Sequence, residues 1–116
     1  MEPLKTRRRK GPESTIVDAI RDFLHLRGWY TIKTHGSEYQ SGLPDLYCCH
    51  PRYGTRWVEV KNPQKYSFTP AQLDVFPKLA AHGVGVWVLT AGTDSEYQKL
   101  FGPANWHTFL SIMKTL

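Results

Sequence analysis

The run 84–90 (VGVWVLT) is apolar almost throughout and has the length of one β-strand. A strand with apolar side chains on both faces is typical of a sheet that is covered on both sides, and its neighbour is then expected to be parallel. The segment before this run has the pattern of a helix that begins with a capping box: Thr69 is the N-cap, Pro70 the first helical residue and Gln72 the residue reaching back. A helix between two strands of one sheet predicts a strand–helix–strand crossover, so the expected fold class is α/β.

A further helix and three strands are predicted upstream of this crossover. Apolar residues recur at helical spacing from Glu13 to Arg27, and Gly28 follows as a stop signal. Pro51 and Gly54 mark a turn, which favours an antiparallel hairpin between the second and third strands. The strands are expected at 29–34, 44–49 and 56–61, the second helix is expected to end near 82, and one short and one longer helix are expected within 95–116.

The length of 116 residues suits one domain with one active site. We expect a flexible basic arm at 1–12 and a single domain at 13–116. The formal charge of +5 favours a polyanionic partner, although a merely solvating charge is compatible with it. The arm is interpreted as neutralising the negative charges of such a partner, and a basic tail of no consequence is the alternative. Its cationic side chains are those of Lys5, Arg7, Arg8, Arg9 and Lys10.

The sequence lacks the features expected of a membrane-spanning or exported protein. No apolar run approaches the roughly 20 residues of a membrane span, and no apolar stretch follows the basic N-terminus as it would in a secretory signal. Cys48 and Cys49 are adjacent and would point to opposite faces of a strand, so a disulfide between them is not expected. A reducing, intracellular setting is the corresponding expectation.

Charged residues on the predicted hairpin form the candidate reaction centre. Glu59 and Lys61 are two residues apart on the third strand and share one face, while Val58 and Val60 point the other way. If the hairpin folds about the middle of its turn, Asp45 lies opposite Glu59 to within a residue or two. Two neighbouring carboxylates repel each other unless a hard cation neutralises them, which predicts a magnesium site.

Magnesium held by carboxylates is suited to phosphodiester hydrolysis. Asp45 and Glu59 are the expected ligands, and the carbonyl of Val60 is a third candidate. We expect Lys61 to orient the bound water or to stabilise charge on the phosphate. Glu13 lies in the first turn of the first helix and points towards its apolar side. It is therefore a further candidate ligand, with stabilisation of the helix dipole as the alternative.

Three segments together resemble the PD-(D/E)XK nuclease superfamily, and specifically its VRR-NUC branch. They are 42–45 (GLPD), 58–61 (VEVK) and 69–72 (TPAQ). The resemblance spans about residues 13–90 and implies a restriction-endonuclease-like core of helix, three-stranded meander, helix and strand, with a mixed sheet flanked by helices. It also implies DNA cleavage with Mg²⁺ or Mn²⁺, metal binding by Asp45 and Glu59, a catalytic Lys61, Glu13 as the acid of the first helix, and Gln72 at the active site.

Lys33 resembles the basic residue that the family often has on its first strand and is a candidate DNA contact; a solvent-facing lysine is the alternative. Stand-alone chains of this length resemble phage and bacterial homodimers that act on branched DNA such as Holliday junctions. The resemblance thus implies a cytoplasmic, metal-dependent and structure-selective DNA endonuclease, in a bacterial or phage-infected cell. The alternatives are a restriction, repair or replication-associated nuclease and a non-catalytic DNA-binding module.

Overall fold

The structure, a computed structural model, describes residues 12–34 and 41–115. The predicted arm at 1–12 lies outside the described residues except for Pro12, which begins the first helix. The elements follow the predicted order, and their bounds are as follows: α1 Pro12–His25, β1 Tyr30–Lys33, β2 Leu46–His50, β3 Gly54–Val60, α2 Pro70–Ala81, β4 Val86–Leu89, α3 Asp94–Gln98, a short 3-10 helix Lys99–Phe101, and α4 Trp106–Thr115.

The four strands form one mixed sheet in the order β1-β2-β3-β4. Both β1 and β3 pair with β2 in antiparallel fashion, while β4 is parallel to β3 as predicted. The register of the hairpin sets Leu46 opposite Val58, so its continuation by one residue sets Asp45 opposite Glu59. The predicted alignment of these two acids is therefore confirmed at the level of the backbone.

The third strand differs from its predicted bounds at both ends. It begins at Gly54, two residues early, because the antiparallel pairing continues to the edge of the turn, where His50 is opposite Gly54. Gly54 has a φ of 82°, which a residue with a side chain rarely adopts. The strand ends at Val60, and Lys61 follows it, although the Lys61 amide still donates to the carbonyl of Leu89 at 3.1 Å.

Apolar clusters cover both faces of the sheet, as the continuous apolar pattern of β4 predicted. On one face α1 packs against alternate residues of the hairpin, while α2 and α4 pack against β4 on the other face. The first cluster contains Val17, Ile20, Leu24, Leu46, Cys48, Val58 and Val60. The second contains Phe68, Phe76, Val86, Val88, Trp106 and Phe109.

The residues after β4 complete the core and close the outer edge of the sheet. Leu100, Trp106 and Phe109 are buried. The side-chain amide of Asn105 replaces a missing strand, because its oxygen accepts from the amide of Val88 at 2.6 Å and its nitrogen donates to the carbonyl of Val88 at 3.2 Å. Across the described ranges, no helix combines the length and apolar character that crossing a bilayer requires.

Candidate active site

Asp45 lies immediately before β2, in the segment whose sequence is GLPD. Gly42 has a φ of 88°, and a Cβ there would lie 2.7 Å from the carbonyl oxygen of Ala71 in α2. The glycine thus allows this segment to pack closely on the first turn of α2. The amide of Thr34 donates to the carbonyl of Asp45 at 2.9 Å, which fixes the backbone from the β1 side.

Glu59 and Lys61 point to the face of the sheet that α2 covers, opposite to Val58 and Val60, as strand alternation requires. Both side chains are buried, with 2% and 4% of their surface exposed. Lys61 Nζ lies 3.0 Å from Glu59 Oε2, so the pair forms a buried ion pair.

Gln72 joins this ion pair to the beginning of α2. Its Nε2 donates to Glu59 Oε2 at 2.8 Å, and its Oε1 accepts from Lys61 Nζ at 3.2 Å. The same Oε1 accepts from the amide of Thr69 at 3.0 Å, while the Gln72 amide donates to Thr69 Oγ1 at 3.1 Å. The predicted capping box is therefore present, and its glutamine contacts the two charged residues at the same time.

The second carboxylate oxygen of Glu59 has no such partner. Among the residues the structure describes, Glu59 Oε1 is the buried side-chain oxygen or nitrogen without a hydrogen bond. Burial and the negative charge of Asp45 raise the pKa of Glu59 to about 7, against the opposing effects of Lys61 and Gln72. A buried acceptor that lacks a donor is costly, and a cation would satisfy it.

Asp45 approaches Glu59 from the neighbouring strand. Its Oδ2 accepts from the amide of Val60 at 2.8 Å, and the Asp45 and Glu59 carboxyl groups are close enough to influence each other electrostatically. Burial raises the pKa of Asp45, and the negative charge of Glu13 adds to the rise, whereas the Val60 amide and Lys61 lower it. Within one strand residue the N–H and C=O point to the same edge, so the Val60 carbonyl lies on the Asp45 side of β3.

Glu13 is half-buried at the beginning of α1, and its Oε2 accepts from the amide of Asn62 at 3.3 Å. It is close enough to influence Asp45 electrostatically. Within residues 12–34 and 41–115, however, no three His, Cys, Asp or Glu side chains converge as a metal-binding group. The donors that fit a divalent cation best are thus the two carboxylates and the carbonyl, and a role for Glu13 stays a prediction.

Lys33 is placed on the α1 side, where its Nζ lies 3.8 Å from Asp18 Oδ1. This ion pair is partly exposed, and a DNA contact by Lys33 stays a prediction. Residues 5–10 lie outside the described part of the chain, so the arm is not tested. One contact that was not predicted is that of Phe68, whose ring centroid lies 4.6 Å from Lys61 Nζ. Its position directly before the capping threonine was the available signal.

Comparisons with known proteins identify the fold. No family model and no curated protein matches the sequence. A solved structure described as a VRR_NUC domain superposes with a TM-score of 0.61 and 25% sequence identity, covering 72% of this chain and 88% of that chain. This chain has the VRR-NUC fold. The resemblance predicted from the GLPD, VEVK and TPAQ segments is confirmed, as is the mixed α/β sheet flanked by helices.

Proposed function

We propose that this protein is a metal-dependent endonuclease that hydrolyses DNA phosphodiester bonds. The VRR-NUC fold is that of a nuclease family, which supports the reaction class. The observation that carries the metal dependence is the buried, unpartnered Glu59 Oε1 beside Asp45. Two close carboxylates with raised pKa values are unfavourable by themselves and become favourable around a divalent cation.

Mg²⁺ or Mn²⁺ is the cofactor that these donors suit, because carboxylate and carbonyl oxygens are the ligands that hard divalent cations prefer. Asp45, Glu59 and the Val60 carbonyl would hold the cation, and Glu13, which influences Asp45 electrostatically, is a further candidate ligand. When bound, such an ion neutralises phosphate charge and lowers the pKa of a coordinated water.

Lys61 supplies the cationic group of the proposed reaction. Its ammonium group has three N–H donors, of which one is directed to Glu59 Oε2 and one to Gln72 Oε1. The remaining donor is proposed to orient the attacking water or to hold a phosphate oxygen as negative charge develops. Gln72 acts here by positioning Glu59 and Lys61 rather than by touching the phosphate.

DNA is the proposed substrate, and branched DNA such as a four-way junction is the proposed preferred form. The formal charge of +5 favours a polyanion, and Lys33 with the basic segment 5–10 is proposed to contact phosphates. A homodimer is the proposed assembly, because two sites related by a twofold axis can cut two strands symmetrically.

The deciding experiment compares end-labelled four-way junction, flap, nicked and linear duplexes of matched sequence, each with Mg²⁺, Mn²⁺ or a chelator. We expect cleavage with either cation and none with the chelator, with symmetric cuts only on the junction. Equal cutting of linear duplex would replace junction selectivity by a general repair or restriction activity. Absence of cleavage on all substrates with both cations would contradict the nuclease proposal.

A size measurement of the same preparation tests the assembly. Light scattering should give twice the chain mass of 13.4 kDa if the protein is a homodimer. A monomer that nevertheless cuts both strands of a junction would contradict the symmetric arrangement while leaving the chemistry in place.

A further inference from the structure

The two oxygens of the Glu59 carboxylate have different surroundings. Oε2 is 3.0 Å from Lys61 Nζ and accepts from Gln72 Nε2 at 2.8 Å, whereas the buried Oε1 has no partner among residues 12–34 and 41–115. A carboxylate whose one oxygen is already held by two donors has only the other oxygen available to a further cation.

The orientation of the Gln72 amide is fixed by its contacts. Its Oε1 accepts from both the Thr69 amide and Lys61 Nζ. Reversing the amide would set its NH₂ group against two donors and its oxygen against the Glu59 carboxylate, which would break all three hydrogen bonds. The capping box therefore keeps an N–H group on Glu59 Oε2.

We infer that Gln72, oriented by its capping box with Thr69, makes Glu59 a one-oxygen ligand and thereby selects Mg²⁺ or Mn²⁺ over Ca²⁺. This inference rests on the proposed metal-dependent function. Calcium takes about 6–8 oxygen ligands in flexible geometry and often binds both oxygens of a carboxylate, whereas magnesium requires near-octahedral geometry. Holding Oε2 away from the cation thus penalises the larger ion more than the smaller one.

The test measures cation binding to the full chain in the absence of DNA. Dissociation constants for Mg²⁺, Mn²⁺ and Ca²⁺ are determined by calorimetric titration for the wild type and for Gln72→Met, which preserves side-chain length but removes the amide. Gln98→Met is the matched control, because Gln98 is exposed at the end of α3. Loss of a residue that orients a metal ligand typically costs about 10–100-fold in affinity.

We expect Gln72→Met to weaken Mg²⁺ and Mn²⁺ binding by about tenfold and Ca²⁺ binding by clearly less, so that the preference moves towards Ca²⁺. Thr69→Val should move the preference in the same direction by a smaller factor, because it removes the hydroxyl that accepts from the Gln72 backbone amide and so loosens the turn whose Thr69 amide orients the Gln72 side chain. Thr69→Ser should keep the wild-type preference, because serine retains the accepting hydroxyl. If Gln72→Met does not fold, the Thr69 pair decides. A merely structural role of the capping box would lower the melting temperature without changing the ratio of the cation affinities.

Two results would overturn the inference, and they are distinguishable from failure of the proposed function. Equal weakening of all three cations, or an unchanged preference in both Gln72→Met and Thr69→Val, contradicts the inference alone when the wild type binds Mg²⁺ and cuts DNA. A wild type that binds none of the three cations contradicts the proposed metal-dependent function, and the inference fails with it.

Discussion

Both faces of β3 are buried, but one carries apolar side chains and the other carries charged side chains. Val58 and Val60 are completely buried against α1, within a cluster of apolar side chains. Glu59 and Lys61 are almost as deeply buried on the α2 side, where they form an ion pair. Burying an ion pair costs several kcal/mol of desolvation per ion, which its attraction does not reliably offset.

This difference separates stability from chemistry within the same strand. Burial of the two valines stabilises the folded state because it removes apolar surface from water. The Glu59 carboxylate has one buried oxygen without a partner in the part of the chain that the structure describes, and the pKa of Glu59 is raised to about 7 mainly by burial. We therefore expect substitutions on the two faces to affect different quantities.

The largest effect is expected on the charged side, from Asp45→Asn. Asparagine can still accept the Val60 amide through its side-chain oxygen, so the fold should be preserved while one negative charge is removed. Cleavage should fall on the order of 10³-fold, which corresponds to about 4 kcal/mol of activation free energy. DNA affinity should be equal or higher, because the site near the phosphate becomes less negative.

Single-turnover cleavage and fluorescence anisotropy measure these two quantities for Asp45→Asn. The matched control is Asp74→Asn, because Asp74 is an exposed acid on α2 that pairs with Lys78. Cleavage by the control should equal that of the wild type. Retention of wild-type cleavage by Asp45→Asn would contradict the role of Asp45 in the reaction.

The next effect is the pH dependence of stability in the presence of a chelator. The folded-state pKa of Glu59 is raised from 4.5 to about 7, so the folded state binds its proton more tightly than the unfolded state does. This contribution is fully present below about pH 4.5 and is lost as the pH rises through 7; the raised pKa of Asp45 acts in the same direction. The free energy of unfolding should fall by roughly 3 kcal/mol at most between pH 5 and pH 8.

Urea denaturation at several pH values measures this slope. Glu59→Gln should flatten it, because glutamine does not titrate, and Mg²⁺ at pH 8 should restore stability to the wild type. Stability that instead rises from pH 5 to pH 8 in the wild type would mean that the carboxyl pair is not strained in the folded state.

On the apolar side, Val58→Ala should lower the free energy of unfolding by about 2 kcal/mol. It removes two methyl groups from a completely buried site on the face opposite to Glu59 and Lys61. Urea denaturation measures the loss, and calorimetry should find unchanged Mg²⁺ affinity. Val84→Ala is the matched control. Val84 is half-buried after α2, so this substitution should lower the free energy of unfolding by less. A change in Mg²⁺ affinity in Val58→Ala would show that the two faces are coupled.

The same contrast explains what could be predicted from the sequence. Alternation along β3 and the turn at Gly54 set the register and the shared face of Glu59 and Lys61, because both follow from local backbone geometry. The capping box was also local. The contacts of Gln72 with Glu59 and Lys61 and of Phe68 with Lys61 depend on how α2 docks on the sheet, which no local pattern determines.

The smallest effect is expected from deleting residues 1–10, which removes five cationic side chains and leaves the residues of β3 unchanged. Each phosphate that is no longer neutralised should reduce the slope of log affinity against log salt by about 0.9, so DNA affinity should fall by about tenfold at low salt and by less at high salt. Anisotropy titrations from 50 to 200 mM salt, roughly the range in which counterion release is strong, measure this change. Cleavage at saturating DNA should remain, because the carboxylates and Lys61 are untouched.

Equal affinity of the full and shortened chains at every salt concentration would contradict the phosphate-binding role proposed for the basic segment. Residues 11–116, which carry ten Lys and Arg against nine Asp and Glu, would then supply the DNA contacts, and Lys33 is the next residue to test.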